Sequence, residues 1–256
     1  MIEQRDGTGS ARIKPTERAS PTQDSEEAEK YWIILLAWII ESFRPDTNDV
    51  GLSIFGTQGA AKSSTQSFLK ELVDPRARGS NLRARPKGRE DIFIAAHNGL
   101  LLSYENLSDL SADMQDALCT VLTGGEFTTR KLYSNGDEYE IVVKNPVVLN
   151  GINNVVTRPD LLDRFICIEM PEIVAKTRKS DEVVLKRFAD LKSTVFGAIL
   201  TRFHRALKEL PKVQKEKNLE LPRMADFALL GEAVARSLKQ EPGWFLAKYS
   251  FELADV

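Results

Sequence analysis

The sequence of 256 residues is poor in the side chains that build metal centres and disulfide frameworks. It has 2 histidines, His97 and His204, and 2 cysteines, Cys119 and Cys167, each pair far apart in the chain. A histidine-based metal site or catalytic triad has almost nothing to build with. The cysteines, embedded in apolar segments, read as buried thiols in a reducing compartment. Net charge is also small: 35 basic against 37 acidic residues leave -2, which argues against a protein that coats nucleic acid everywhere but leaves room for a local basic patch. Long hydrophobic runs are missing too. The run that stands out, YWIILLAWIIE over residues 31–41, is shorter than the about 20 residues needed to span hydrocarbon, and it lacks the flank and cleavage site of a signal peptide. It reads as a buried helix leading into the first strand, with a membrane-surface anchor as the competing reading. A cytoplasmic protein without a membrane partner is expected.

Hydrophobic residues make up 42% and charged residues 28%, a globular composition with enough chain for an α/β domain and a smaller helical one. Residues 1–25 hold almost no large apolar side chain and read as a flexible tail. A helix is expected over residues 25–43, a buried strand over 50–55 and a helix over 61–72. Residues 75–90 are polar and rich in arginine (Arg76, Arg78, Arg83, Arg85, Arg89) and read as a loop. Apolar bursts at 91–95 and 99–104 suit strand or adjoining helix, and 110–123 suits a helix ended by Gly124 and Gly125. Arms at 127–133 and 138–143 flank an Asn-Gly turn signal and predict a hairpin. Strands follow at 146–150 and 165–169, then helices over 182–210 and 225–238. The pattern predicts an α/β class, with a parallel-sheet core over residues 26–172 and a helical lid over 173–256.

Between the first strand and its helix stand Gly56, Thr57, Gln58, Gly59, Ala60, Ala61, Lys62, Ser63 and Ser64. The phosphate-loop consensus fits at Gly56, Lys62 and Ser63, with Ala61 where the second glycine usually stands. The spacing curls backbone N–H groups around a phosphate at a helix N-terminus. Lys62 can then reach the outer phosphates and the Ser63 hydroxyl can ligate magnesium. ATP and Mg2+ are the expected ligands.

Hydrolysis needs an acid near the metal and the attacking water. The run LLLSYEN over residues 100–106 ends an apolar strand in Glu105, the layout of a carboxylate at a strand tip beside a phosphate loop. Glu105 can hold magnesium through water, polarise the attacking water, or both; a surface glutamate is the bland alternative. Asn150, ending the 146–150 strand, suits the positioning of water, or simply forms a turn before Gly151. Arg164 is the candidate for stabilising charge on a neighbour's phosphate, with Arg158 second and a local pair with Asp160 or Asp163 as the alternative.

These motifs, with AHNGLLLSYENLSDL (96–110), DALC (116–119), TRKLY (129–133), VLNGI (148–152) and RPDLLDR (158–164), resemble the AAA+ P-loop ATPases of phages and mobile elements. The chain is similar there to superfamily 3 helicases and to the helicase part of primase–helicases, over roughly residues 45–245. The resemblance implies a homo-oligomeric ring, a hexamer, acting on single-stranded or forked DNA in replication. It gives Asn150 the sensor 1 role and Arg164 the finger role. It implies DNA contact by the hairpin through Arg130, Lys131 and Tyr133, whose charge and aromatic ring suit a single strand. Arg223, opening a lid helix after Pro222, stands where a second sensor can touch the nucleotide. Members often carry aspartate where this chain has Glu105. The N-terminus leaves no room for a primase domain, so the chain reads as a fragment or a stand-alone ATPase. A nucleotide-dependent switch or scaffold without unwinding is the rival reading, favoured by Ala61 and the single acid.

Overall fold

The computed structural model describes residues 23–76, 82–130 and 138–254. Short segments form four parallel strands: β1 (Gly51–Phe55), β2 (Leu102–Leu107), β5 (Val147–Gly151) and β6 (Phe165–Glu169), in the order β2-β5-β1-β6. An antiparallel ribbon, β3 (Gly125–Arg130) with β4 (Glu138–Val143), lies between β2 and β5 in the chain. β1, β5 and β6 are mostly apolar because both faces of the sheet are covered, while the edge strand β2 carries Ser103, Glu105 and Asn106. Successive side chains divide between two cores. Leu52, Ile54, Val148, Ile166 and Ile168 enter one; Val147, Leu149, Phe165 and Cys167 enter the other.

The first core is closed by α1 (Gln23–Glu41), α2 (Lys62–Val73), α6 (Asp181–Val213), α7 (Ala225–Ser237) and α8 (Trp244–Ala254). The second is closed by α3 (Arg89–His97), α4 (Ala112–Thr123) and the short α5 (Pro159–Leu162). This is a P-loop NTPase-like α/β fold, a parallel sheet flanked by helices. The apolar run of residues 31–41 is core, as expected: Ile34, Ala37 and Ile40 are fully buried, and Trp38 Nε1 donates to Val50 O at 2.7 Å, fixing α1 to the start of β1. No helix among the described residues is long and apolar enough to cross a membrane.

Several elements depart from the sequence reading. Within the arginine-rich segment read as loop, Arg83 adds a parallel rung to β2. Its N–H donates to Ser103 O at 3.0 Å, and its carbonyl accepts from Glu105 N at 2.9 Å. The rung covers part of the β2 edge. Residues 91–95 take the helical one of their two alternatives, inside α3, whereas α8 is an additional helix beyond the two expected. The boundary expected between residues 172 and 173 falls in the connection from β6 to a 3-10 turn, Ala175–Thr177. Helices α6–α8 nevertheless share their core with α1 and one face of the sheet. Of the tail expected over residues 1–25, residues 23–25 belong to α1 and residues 1–22 lie outside the described residues, as do Arg78, Lys131, Tyr133 and the side chain of Arg130.

Candidate functional site

A cleft of about 710 Å3 opens at the C-terminal edge of the sheet. Its walls come from the loop after β1, the start of α2, Asn106 of β2, Asn150 and Gly151 of β5, and the connection leading into α6. Ligands of open parallel sheets bind at this edge, where the chain leaves neighbouring strands for opposite faces.

The loop of residues 56–61 is shaped by left-handed and extended backbone. Gly56 has φ +140 and Gly59 φ +83, and a Cβ at Gly56 would lie 2.6 Å from Met170 O. Only glycine fits that approach. Ala61, at the consensus glycine position, also lies in the left-handed region, with φ 60 and ψ 23. The alanine therefore carries backbone strain as well as a methyl group. Lys62 Nζ folds back over the loop and donates to Gly56 O at 2.8 Å and Thr57 O at 2.7 Å.

The first turn of α2 has neither an acidic residue nor a side-chain cap. By contrast, α3, α4, α6 and α7 carry acids in their first turns, and Glu232 accepts from Gly243 N and Phe245 N at the start of α8. The N–H groups opening α2 thus keep their partial positive charge for a ligand in the cleft. Lys62, Arg178 and Lys179 line the cleft against a single acid, Asp181. Three cations, a bare helix start and glycine-shaped backbone form a donor set that fits a polyphosphate.

Asn150 is 2% exposed and bound at both ends of its amide. Its Oδ1 accepts from Asn106 N at 2.8 Å, while Nδ2 donates to Gln66 Oε1 and to Ser63 Oγ at 3.4 Å. Gln66, wholly buried, extends the network: its Nε2 faces Ser103 Oγ at 2.9 Å, Tyr104 O at 2.9 Å and Val148 O at 3.2 Å. One glutamine thus ties α2 to β2 and β5 and holds the Asn150 amide beside Ser63. Sequence reasoning missed Gln66. Its signal is a polar residue on the buried face of α2, at helical spacing from Leu69 and Val73.

Glu105 is half-buried at a register shift between Tyr104 and Leu107. The strand continues beyond it, and the next residue, Asn106, takes a left-handed φ of 52 and lines the cleft in its place. Ser103 faces α2 through Gln66, whereas Glu105 stands two residues on, within the irregularity itself. Ser63 lines the cleft itself. No cluster of three or more potential metal-binding His, Cys, Asp or Glu residues occurs among the described residues.

The remaining candidates lie elsewhere. Arg164 precedes β6, at the end of the sheet opposite the loop, and its carbonyl accepts from Gly51 N. Its Nη1 donates to Asp160 O at 3.2 Å, and its buried Nε has no hydrogen-bond partner. Arg158 pairs with Asp116 at 3.1 Å and with Asp160 at 3.5 Å. Gln115 Oε1 anchors this turn by accepting from Thr157 N and Arg158 N, both at 3.0 Å. Arg223 pairs with Asp163 at 3.3 Å and does not line the cleft. In the arginine-rich segment, Arg85 pairs with Asp109 and Arg89 with Asp113, so its charge is partly balanced locally. The hairpin stem packs through Phe127, stacked on Phe93 at 4.8 Å. On the stem, a hydrogen bond from the Glu126 carboxyl raises the pKa of Glu140, so an acidic pair sits there. Neither cysteine forms a disulfide, and burial pushes Cys119 up to about 11.

No curated protein sequence matches the chain. Among solved structures it is similar to SCCmec type IV Cch, an active helicase, with 13% identity and a TM-score of 0.46 over 92% of this chain and 51% of that one. The chain spans about half the length of that protein. The profile of a family described as actinomycete integrative conjugative element replication protein matches residues 24–242. That match covers both sheets, the whole cleft and, from the second residue of α1, helices α1 to α7, and by it the chain belongs to the replication proteins of actinomycete integrative conjugative elements.

Proposed function

We propose that the chain binds ATP with magnesium in the cleft at residues 56–64, hydrolyses it, and works as a DNA-dependent, helicase-like motor when its mobile element replicates. The observation that carries this reading is the convergence, at one sheet edge, of an uncapped helix start, Lys62 and the Ser63–Asn150–Gln66 network. The backbone donors of residues 56–61 and the Lys62 ammonium would bind the phosphates, and Ser63 with Glu105 would hold magnesium. Bound there, the metal neutralises charge on the phosphate oxygens. Glu105 is the acceptor for the proton of the attacking water, and Asn150 orients that water. Membership in a replication family supports DNA as the polymer acted upon. The hairpin residues Arg130, Lys131 and Tyr133 are the proposed contacts.

The finer reading is an AAA+ ring, a hexamer, in which Arg164 serves the cleft of a neighbouring copy. The 5 residues of β6 separate Arg164 from its own cleft edge by roughly 16 Å. Its buried, unpartnered Nε also marks a guanidinium that its own chain does not fully satisfy. A nucleotide-dependent switch with little turnover is the second reading. It is favoured by Asn106, not Glu105, lining the cleft and by an Asn150 amide engaged at both ends.

Steady-state ATP hydrolysis with and without single-stranded DNA, over a wide range of protein concentration, separates the two. Turnover stimulated by DNA above a threshold concentration is expected of the motor; tight binding with slow, DNA-independent turnover would establish the switch. Lys62→Ala should abolish nucleotide binding. Glu105→Gln should keep binding and lose turnover, and normal turnover in that variant would remove Glu105 from the chemistry. Arg164→Ala should lose turnover only in the assembled state.

A further inference from the structure

Arg178 differs from the arginines considered away from the cleft in one respect. Arg158, Arg223, Arg85 and Arg89 are each paired with an acid. Arg178 lines the cleft, and among the described residues no acid or hydrogen-bond acceptor engages it. Its guanidinium lies over the loop instead: a Cβ built on Gly59 would sit 3.0 Å from Arg178 Nη2. Gly59 keeps that space open and leaves the guanidinium facing the backbone that would cradle phosphate. Arg178 follows the 3-10 turn Ala175–Thr177 and stands just before α6, so it belongs to the connection that carries the chain from the sheet into the C-terminal helices.

The start of α6 is already linked to α2. Phe68 and Phe188 stack with centroids 4.2 Å apart, and Lys192 pairs with Glu71. Asp181 and Val184, in the first turn of α6, complete the cleft wall. A ligand held between the loop and Arg178 would therefore join the two sides of the cleft, with α2 beneath and the entry to α6 above.

The geometry points to Arg178 as a nucleotide ligand in cis, its guanidinium taking the polyphosphate opposite the loop and fixing the entry to α6. The assignment rests on the nucleotide reading of the cleft and deepens it. An arginine suits the task because its planar fork binds two phosphate oxygens at once. Clamping it also changes the freedom of the 173–184 connection, so the bound state is passed to the C-terminal helices by a local charge contact.

The test is titration calorimetry of the full chain with magnesium and ATP, ADP or AMP, paired with amide hydrogen exchange over residues 173–184. Arg178 is exposed and unpaired, so Arg178→Ala should fold as the wild type does. In this variant ATP and ADP should bind about ten- to a hundredfold more weakly, the loss of a charge-assisted bond, with a smaller change for AMP. Arg178→Lys should recover part of that loss. ATP should slow exchange over residues 173–184 in the wild type but not in Arg178→Ala. ATP affinity within twofold of wild type, with protection of residues 173–184 retained, would overturn the assignment while leaving the cleft reading intact. A wild type that does not bind ATP, and so matches Lys62→Ala, would overturn both.

Discussion

The two edges of the parallel sheet treat polar groups in opposite ways. At the C-terminal edge, neutral amides are satisfied: Asn150 and Gln66 bridge α2, β2 and β5 beside a cleft. At the N-terminal edge, where α1 turns into β1, carboxyls are buried. Glu41, 2% exposed, accepts from Thr47 Oγ1 at 2.6 Å and Arg44 Nη1 at 3.2 Å. Even so, burial raises its pKa, with Asp226 adding repulsion. Asp49, 4% exposed, is pushed up to about 7 by burial and by the Glu41 charge, against the attraction of Lys144. A buried amide with partners supports the fold, whereas a buried charge short of partners loads it. One edge is stable because it is bridged; the other stays folded despite its charges.

The largest effect is expected where that load is greatest. Asp49 binds its proton more tightly in the folded chain than in the unfolded one, its pKa moving from 3.8 to about 7. Between those values the folded state carries more protons, so stability falls as pH rises through the window and is flat above it. A displacement of that size corresponds to at most roughly 4 kcal/mol. Asp49→Asn should therefore raise the urea midpoint markedly at pH 8 and leave it nearly unchanged at pH 4. A variant less stable than wild type at pH 8 would mean that the charged carboxylate has partners that support the fold, and the contrast between the edges would collapse.

The opposite substitution probes the bridged edge. Gln66→Leu keeps the volume and removes the amide, leaving Ser103 Oγ, two strand carbonyls and the Asn150 amide short of a partner. Unfolding free energy should drop by about 2–3 kcal/mol, the cost of several unsatisfied buried groups partly relieved by water from the cleft. A loss below about 0.5 kcal/mol would show that the cleft edge tolerates rearrangement more freely than its network implies.

Much of this architecture was legible in the chain because it is local and periodic. The strand at residues 165–169 coincides in sequence and structure: a fully buried strand is an apolar run, and Pro171 closes it. The helix expected from residue 110 starts at Ala112 because Ser111 caps it through Met114 N. The glycine-shaped loop between β1 and α2 likewise falls where the spacing of Gly56, Gly59 and Lys62 marks a turn from strand into helix. What stayed hidden is non-local. The Arg83 rung is one residue long and has no period to reveal it. Gln66 gains its meaning from carbonyls on two distant strands, and Arg178 from lying over Gly59. Charged residues in a polar connection look alike until the fold shows which of them have partners.

The smallest expected effect lies in the loop itself, at the residue that departs from the consensus. Ala61 holds φ 60 and ψ 23, a conformation that disfavours a side chain by roughly 1–2 kcal/mol and suits glycine. Ala61→Gly would relieve this strain but add roughly 0.4–1 kcal/mol of entropy to the unfolded chain. The net gain should be about 0.5–1 kcal/mol, or roughly 2 °C in thermal midpoint for a chain of this size. Because Ala61 is the residue before the first turn of α2, the substitution leaves the helix interior untouched. ATP affinity should hold or tighten as the methyl leaves the cleft wall. A lowered midpoint would mean that the methyl group packs in the loop strongly enough to outweigh its backbone strain. The cleft edge would then owe its shape to side-chain packing as well as to its amide bridges.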